Sequence, residues 1–183
     1  MNPVDIFVQN YFSTGRTPFV TESMYIISRF FDVTDVASMS RFVVIILCIT
    51  ILIYLVRDIK YGLLFVSTLF CGAVTTYFLK IFFDITRPLD GVIIALGQSF
   101  PSYHATVATI FFVILMYIFD DYFSGTKRTV FNSLCVVGIL LVSTSRVYLG
   151  VHWFSDVIGG IVLGVFISYL SVKIFEYFSH KQI

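Results

Sequence analysis

The chain has 183 residues, of which 58% are hydrophobic and 13% charged, and its formal net charge is +1. Soluble domains are about 45–50% apolar and about 25% charged, so this composition indicates a membrane protein, and the small net charge gives no sign of a nucleic-acid partner. The cysteines, Cys48, Cys71 and Cys135, lie in apolar runs without CxxC spacing, which argues against a disulfide framework or a zinc site and is typical of small buried apolar residues.

The first 40 residues predict a peripheral helix. Thr17-Pro18 has the form of an N-cap followed by proline at the first helical position. The stretch Pro18–Phe31 combines apolar residues at mixed spacing with Glu22 and Arg29, which is typical of an amphipathic helix lying in the membrane interface. A short tilted span in this region, giving six spans in total, is the alternative.

Five apolar segments follow, and each predicts a spanning helix: Phe42–Val56, Tyr61–Leu79, Ala105–Phe119, Thr129–Ser145 and Trp153 to about Phe175. Because lipid cannot satisfy backbone polar groups, uninterrupted apolar runs must be helical, and the lack of alternation excludes a β-barrel. Gly160 and Gly164 form a GxxxG motif that predicts close helix packing. We expect an all-α, polytopic transmembrane helix bundle over residues 41–177, an interfacial region over 1–40 and a cytoplasmic tail over 178–183.

The linkers predict the orientation of the bundle. Arg57–Lys60, Asp120–Arg128 and the C-terminal Lys173 and Lys181 fall on one side of a five-span arrangement and hold six of the twelve lysines and arginines. The positive-inside rule makes that side cytoplasmic. The arginines of the first 41 residues lie on the opposite side and weaken this argument, although four acidic residues accompany them.

Three basic residues remain, Lys80, Arg87 and Arg146, and all fall at the predicted outer ends of spans. Charges at membrane depth are costly unless they face a polar interior, so these residues are candidates for a functional site, with snorkelling to the interface as the alternative. Lys80 and Arg87 are seven residues apart and share a helix face if the helix continues as far as Pro88, which would end it. Asp84, one turn from Lys80, is a competing partner for that lysine.

Two further motifs lie at the same predicted level. Pro101-Ser102-Tyr103-His104 directly precedes the third span, so Ser102 is a candidate N-cap, and the free backbone N–H groups after it form an anion site. His152 and Asp156 are four residues apart at the start of the last span, so their side chains can meet. A carboxylate on one imidazole nitrogen makes the other a better nucleophile or base; a simple structural hydrogen bond is the alternative.

Taken in order, these elements resemble the three signature motifs of the type 2 phosphatidic acid phosphatase (PAP2) superfamily, over roughly residues 40–175. The resemblance implies that His152 attacks phosphorus and forms a phosphohistidine, that Asp156 orients His152, and that His104 protonates the leaving oxygen. It also implies a set of groups that hold the phosphate oxygens: Lys80, Arg87, Ser102, Arg146 and the backbone N–H of Tyr103.

Two positions depart from the usual motifs of that family. Tyr103 stands where glycine is usual, so we expect its side chain either to line the mouth of the site or to leave it. Leu89-Asp90 follows the first motif, where many members continue with arginine or proline. We expect Asp90 to add a negative charge near the mouth.

The function expected from the resemblance and the membrane bundle is that of a lipid phosphatase. Its substrate would carry a phosphate or diphosphate headgroup: by preference a polyprenyl diphosphate such as undecaprenyl diphosphate, otherwise phosphatidylglycerophosphate, phosphatidate or lipid A. The alternatives are a lipid phosphotransferase that uses the same phosphohistidine, and a non-catalytic membrane protein that binds or transports lipid.

Cofactor and location follow from the same features. Three cations can clamp a phosphoryl group without a metal, and no Asp, Glu or His cluster has metal-ligand spacing, so we predict metal independence and no cofactor. We expect a multi-pass protein of a bacterial inner (plasma) membrane, with the site facing the periplasmic or extracellular side. The sequence does not indicate the oligomeric state.

Overall fold

The computed structural model describes residues 2–180, which form seven α-helices and a short 3-10 turn, Arg29–Phe31. The helices are α1 (Pro3–Thr14), α2 (Pro18–Ser28), α3 (Val36–Val56), α4 (Ile59–Phe83), α5 (Tyr103–Phe119), α6 (Gly125–Tyr148) and α7 (Phe154–His180). The all-α prediction is confirmed. Residues 178–180 of the predicted tail are the last turn of α7, and residues 181–183, including Lys181, lie outside the described residues.

Four helices, α3, α4, α6 and α7, are long and apolar enough to cross a membrane, and α5 is a shorter apolar helix of 17 residues. At about 1.5 Å per residue, α5 extends for about 25 Å, close to the thickness of a bilayer core. The five predicted segments are the cores of these helices. Each helix runs beyond its apolar segment at one end or both; α3, for example, begins at Val36 because the Asp35 carboxylate accepts a bond from the Ser38 N–H at 2.9 Å.

The helix α5 lies at the centre of the bundle. It packs against α4, α6 and α7, and Ala105, Ala108, Ile110, Ile114 and Ile118 are fully buried along it. These side chains therefore contact neither solvent nor lipid. The start of α5 is therefore held firmly by its neighbours, which matters because that start carries one of the motifs.

The GxxxG motif of α7 allows α5 and α7 to pack closely. A Cβ atom at Gly160 would collide with the carbonyl oxygen of Ser102, and one at Gly164 would collide with that of Thr106. The predicted close packing is confirmed, and it brings the backbone of α7 against the first turn of α5.

The cysteine prediction is correct at one position. Cys135 is buried, whereas Cys48 and Cys71 lie exposed on the surface of the bundle, so the prediction of burial is wrong for these two. Both cysteines lie on helix faces that point away from the core and would contact lipid in a membrane. A small apolar side chain has no desolvation cost in that environment.

The two N-terminal helices cover one end of the bundle, called the upper end below, where α4 and α6 finish and α5 and α7 begin. The Asp5 carboxylate of α1 accepts bonds from the N–H and Oγ of Ser155, both at 2.8 Å. Arg16 donates to the carbonyl oxygen of Tyr148 at 3.0 Å, and the Thr17 N–H donates to the Tyr148 hydroxyl at 3.1 Å. With 12 and 11 residues, α1 and α2 are too short to cross a bilayer, which favours five spans.

Candidate active site

The segment between α4 and α5 differs from the sequence expectation. The helix α4 ends at Phe83, because Asp84 adopts a left-handed conformation (φ 45°) and its N–H donates to the Lys80 carbonyl at 3.1 Å. The condition for a shared helix face, a helix that continues as far as Pro88, is therefore not met. Arg87 lies in the loop and not on the helix face of Lys80.

Lys80 does not pair with Asp84. Its ammonium donates to the carbonyl oxygens of Gln98 at 2.7 Å and Ser99 at 3.0 Å, and Asp84 instead accepts a bond from the Gln98 side chain at 3.2 Å. An ammonium has three donors, so these contacts leave the third N–H of Lys80 for another acceptor. The lysine thus fixes the loop in front of α5 and still has a donor to offer.

Arg87 contacts His152 directly in spite of its place in the loop. Its Nη1 lies 3.1 Å from Nε2 of His152 and donates to the Val151 carbonyl at 2.7 Å, while its Nε donates to Gly97 at 3.0 Å. A guanidinium can only donate, so Nε2 accepts and is unprotonated. The neutral imidazole therefore carries its proton on Nδ1, and Nε2 has a free lone pair.

Asp156 lies on the other side of the same imidazole. Its Oδ2 is 3.4 Å from Nδ1 of His152 and accepts the Trp153 backbone N–H at 2.8 Å. Both side chains are almost completely buried, at 1% exposed. The predicted pair meets in space, although His152 stands just before α7, which begins at Phe154.

The motif at the start of α5, residues 101–104, places unpaired polar groups next to the pair formed by His152 and Asp156. Ser102 is the N-cap residue of α5, but its buried Oγ makes no hydrogen bond, and Nε2 of the buried His104 has no partner. The Ser102 N–H donates to the Asp156 carbonyl at 3.0 Å, which ties the two motifs together. Buried polar groups without partners are costly, so these groups indicate a place for a ligand with oxygen atoms.

Arg146 is buried at the end of α6. Its Nη1 donates to Oγ of Ser28 on α2, and its Nε is buried without a partner. It also lines a cavity of about 340 Å³ beneath α2, the start of α3 and the loop residues Ile93 and Ile94. The unpaired Nε is a further donor for an anion.

The cations act together on His152. Burial, and then the positive charges of Arg146, Arg87 and Lys80, lower the pKa of His152 well below its usual range. The three cations of the separate motifs are thus close enough to one imidazole to influence its ionisation. At neutral pH that imidazole is uncharged, which is the form a nucleophile needs.

The side chains at the two positions that depart from the usual motifs make their contacts away from the groups predicted to bind phosphate. The ring of Tyr103 packs edge to face with His104 at 5.9 Å between centroids and lines an apolar groove of about 290 Å³ with Phe42 and Leu69. Asp90 accepts a bond from Gln9 at 2.6 Å and lies 3.6 Å from Nη2 of Arg16. Tyr103 leaves the mouth, and the charge of Asp90 serves to anchor the N-terminal helices.

Sequence reasoning missed Ser99 and Ser28. The Ser99 hydroxyl lies between His152 and Asp156, which are 53 and 57 positions further along the chain, and Ser28 comes from a helix predicted only to lie at the interface. No periodicity or spacing marks either serine, because both are brought to the site by long-range packing.

No metal site accompanies these groups within residues 2–180, where no three His, Cys, Asp or Glu side chains are grouped to hold an ion. Metal independence stays a prediction.

Comparison with known proteins gives the family. The profile described as the PAP2 superfamily matches residues 60–179. An undecaprenyl-diphosphatase from Sulfolobus acidocaldarius is 42% identical over 76 residues, which are 42% of this chain and 33% of that protein. A phosphatidylglycerophosphatase B from Bacillus subtilis is 38% identical over 81 residues, 43% of this chain and 39% of that protein. The matched stretches thus span less than half the length of these relatives.

Two solved structures share the fold. The crystal structure of a transmembrane PAP2-type phosphatidylglycerolphosphate phosphatase from Bacillus subtilis matches with a TM-score of 0.84 and 25% identity, over 94% of this chain and 85% of that one. The crystal structure of Aquifex aeolicus LpxE matches with a TM-score of 0.73 and 18% identity, over 92% and 94%. The profile match covers well over half of the chain, and the chain belongs to the PAP2 superfamily.

Proposed function

We propose that the protein is an integral-membrane lipid phosphatase that hydrolyses a phosphate or diphosphate headgroup through a phosphohistidine at His152. The observation that carries this proposal is the pair of contacts on one buried imidazole: Arg87 against Nε2 and Asp156 behind Nδ1. An unprotonated Nε2 beside a guanidinium is a nucleophile placed next to a phosphate-binding group.

In the first step, Nε2 of His152 attacks phosphorus and the bond from phosphorus to the leaving oxygen breaks. His104, protonated once the negative charges of the bound headgroup offset the nearby cations, gives its proton to that oxygen. Asp156 stabilises the positive charge that develops on the imidazole. In the second step, water attacks phosphorus and gives a proton to His104, the bond between phosphorus and Nε2 breaks, and phosphate leaves with His152 restored.

The oxygens of the phosphoryl group need donors that are already in place. The unpaired side-chain donors supply them: the third N–H of Lys80, the Nε of Arg146 and the Ser102 hydroxyl. The backbone N–H of Tyr103, at the start of α5, is a further donor for the same oxygens. Arg87 would exchange its contact with Nε2 for a phosphoryl oxygen when substrate binds. This exchange frees the lone pair at the moment it is needed.

A lipid substrate is supported by the surroundings of the site. The apolar groove that Tyr103 lines lies between α3, α4 and α5, and the Tyr103 ring also packs against the ring of His104. A hydrocarbon chain in the membrane could follow this groove while the headgroup reaches His152. We favour a polyprenyl diphosphate, with phosphatidylglycerophosphate as the main competitor, since the names of the two matched relatives include both headgroup types.

We further propose a bacterial inner (plasma) membrane location with the site on the periplasmic or extracellular side. The cations at the end opposite the site support this orientation by the positive-inside rule. The three arginines of the first 41 residues, which weaken this argument, have partners at the upper end. Arg16 pairs with Asp90, Arg29 lies over the Tyr25 ring, and Arg41 donates to Ser38 and the Arg29 carbonyl.

The experiment is phosphate release by the detergent-solubilised protein from undecaprenyl diphosphate, phosphatidylglycerophosphate, phosphatidate and lipid A, with His152→Ala as control. We expect release from at least one lipid by the wild type and none by the variant. Release from no lipid would contradict the proposal. Analysis of the products with an acceptor lipid present separates hydrolysis from phosphotransfer.

A further inference from the structure

A hydroxyl group lies inside the pair formed by His152 and Asp156. Ser99 is fully buried, its Oγ is 3.3 Å from Nδ1 of His152, and it donates a hydrogen bond to Oδ2 of Asp156. The direct separation between Nδ1 and that Oδ2 is 3.4 Å, so the imidazole faces the hydroxyl and the carboxylate at similar distances, both longer than an ideal N–H···O bond. Because the hydroxyl also bonds the carboxylate, it provides a second polar link from the imidazole to Asp156.

The partners assign the direction of each bond. Arg87 can only donate to Nε2, so the imidazole proton is on Nδ1 and points towards Ser99. A carboxylate can only accept, so the hydroxyl proton of Ser99 points towards Asp156. One hydroxyl accepts from the histidine and donates to the aspartate, and no proton is left over or missing.

The position of this hydroxyl is fixed by its backbone. The Ser99 N–H donates to the Ile85 carbonyl at 2.7 Å, and its carbonyl oxygen accepts from Lys80 at 3.0 Å. The loop on either side of Ser99 is thus tied to the end of α4. A group held in this way stays in place without cost at the moment of reaction.

We propose that Ser99 is a positioning residue, which holds the Nδ1–H of His152 and connects it to the negative charge of Asp156. Together with the Arg87 contact to Nε2, it favours the tautomer in which Nε2 carries the free lone pair. This inference rests on the proposed function, because it concerns the same nucleophile. Without the hydroxyl, Nδ1 would face only the 3.4 Å gap to the carboxylate.

The test compares Ser99→Ala with Ser168→Ala, another fully buried serine, whose hydroxyl donates only to the Gly164 carbonyl within α7. Two properties are measured: kcat and KM on a lipid that the wild type cleaves, and the tautomer of His152 by ¹⁵N NMR of histidine-labelled protein in micelles, assigned with His152→Ala. For Ser99→Ala we expect kcat to fall about 10–100-fold, the range for partners that orient metal-binding histidines, with KM within about twofold. We also expect a smaller fraction of the Nδ1–H tautomer, which only Arg87 and Asp156 then favour.

Both changes are required together. Wild-type kcat, a loss confined to KM, a fall in kcat with an unchanged tautomer, or the same changes in Ser168→Ala would each overturn the proposal. If the alanine protein does not purify, Ser99→Cys, nearly the same size with a weaker donor, is held to the same two requirements. If the wild type cleaves no lipid, the proposed function fails, whereas the NMR comparison still decides whether Ser99 sets the tautomer.

Discussion

At the scale of single residues, His152 already has the state that the proposed attack on phosphorus requires. Its surroundings exclude water, its Nε2 is unprotonated and its Nδ1 is held. The same cations that would clamp a phosphate also keep the imidazole neutral, because they disfavour a further positive charge. Binding and activation therefore come from one arrangement of charges.

The first prediction concerns pH. Because the pKa of His152 is lowered, the imidazole stays neutral down to pH values below its ordinary pKa of about 6.5. We expect protonation of His152 to lower kcat/KM only when the pH falls below about 6.5. The measurement is a pH profile of kcat/KM, with the ionisation of the substrate phosphate determined separately by ³¹P NMR. An acid limb above pH 7 that is not due to the substrate would contradict the account.

The second prediction concerns the shape of Arg87. Its guanidinium reaches Gly97, Val151 and His152 at once, and an ammonium cannot reproduce that fork. We expect Arg87→Lys to lower kcat about 100-fold or more, as for the loss of a transition-state donor. Arg128→Lys, at an exposed arginine of the opposite end, is the matched control and should keep wild-type kcat. Equal activity of the two variants would show that charge alone suffices.

At the scale of the helices, the site depends on how tightly α5 and α7 approach. Gly160 allows the carbonyl of Ser102 to lie against α7, and this contact sets the distance between the second and third motifs. The N-terminal α1 adds a further constraint, since Asp5 holds the first turn of α7 through Ser155. The contacts between these helix ends thus set the frame on which the loop residues Arg87, Ser99 and His152 are held.

The third prediction tests the helix contact. Gly160→Leu must separate α7 from α5, and overpacking of this kind costs about 1–3 kcal/mol. We expect a lower melting temperature in detergent and a loss of phosphate release, because the motifs move apart. Val162→Leu, on the exposed face of the same helix, should change neither. A Gly160→Leu protein with wild-type melting and activity would refute the role of this contact.

The fourth prediction tests the attachment of α1. Asp5→Ala removes two bonds at the start of α7, and the loss of a helix cap costs about 0.5–2 kcal/mol. We expect a lower melting temperature in detergent than for Glu22→Ala, which alters an exposed acidic residue of α2. Equal melting temperatures of the two variants would show that α1 does not stabilise the bundle.

The sequence was sufficient to predict the five long helices, because an apolar run in lipid must form a helix to satisfy its backbone hydrogen bonds. It was insufficient for the end of α4, which a left-handed Asp84 determines, and for α1, which is held by contacts with Ser155 and Tyr148. At the site, Lys80, His104 and Asp156 stood out as polar groups in an apolar chain. Ser99 did not, because a serine in a loop is unremarkable until the fold places it against the histidine.

At the scale of the whole molecule, the two ends of the bundle differ. The upper end gathers the motifs under α1 and α2, while the opposite end carries exposed cations such as Lys127 and Arg128. A membrane protein with this distribution is expected to place the basic end in the cytoplasm. The headgroup chemistry would then take place outside.

The fifth prediction tests this orientation. In a variant without the natural cysteines, Leu89→Cys should react with an impermeant thiol reagent in intact cells, because Leu89 is fully exposed in the loop between α4 and α5 at the upper end. Lys127→Cys, in the first turn of α6 at the opposite end, should react only after the membrane is permeabilised. The reverse pattern would invert the proposed topology.

The central claim is that His152 becomes phosphorylated during turnover. The most direct measurement is rapid alkaline quenching of the enzyme during hydrolysis of a lipid diphosphate labelled in its terminal phosphate, followed by mass spectrometry of the labelled peptide. The account predicts label on His152 in the wild type and none in His152→Ala. Label on another residue, or label that persists in His152→Ala, would contradict it.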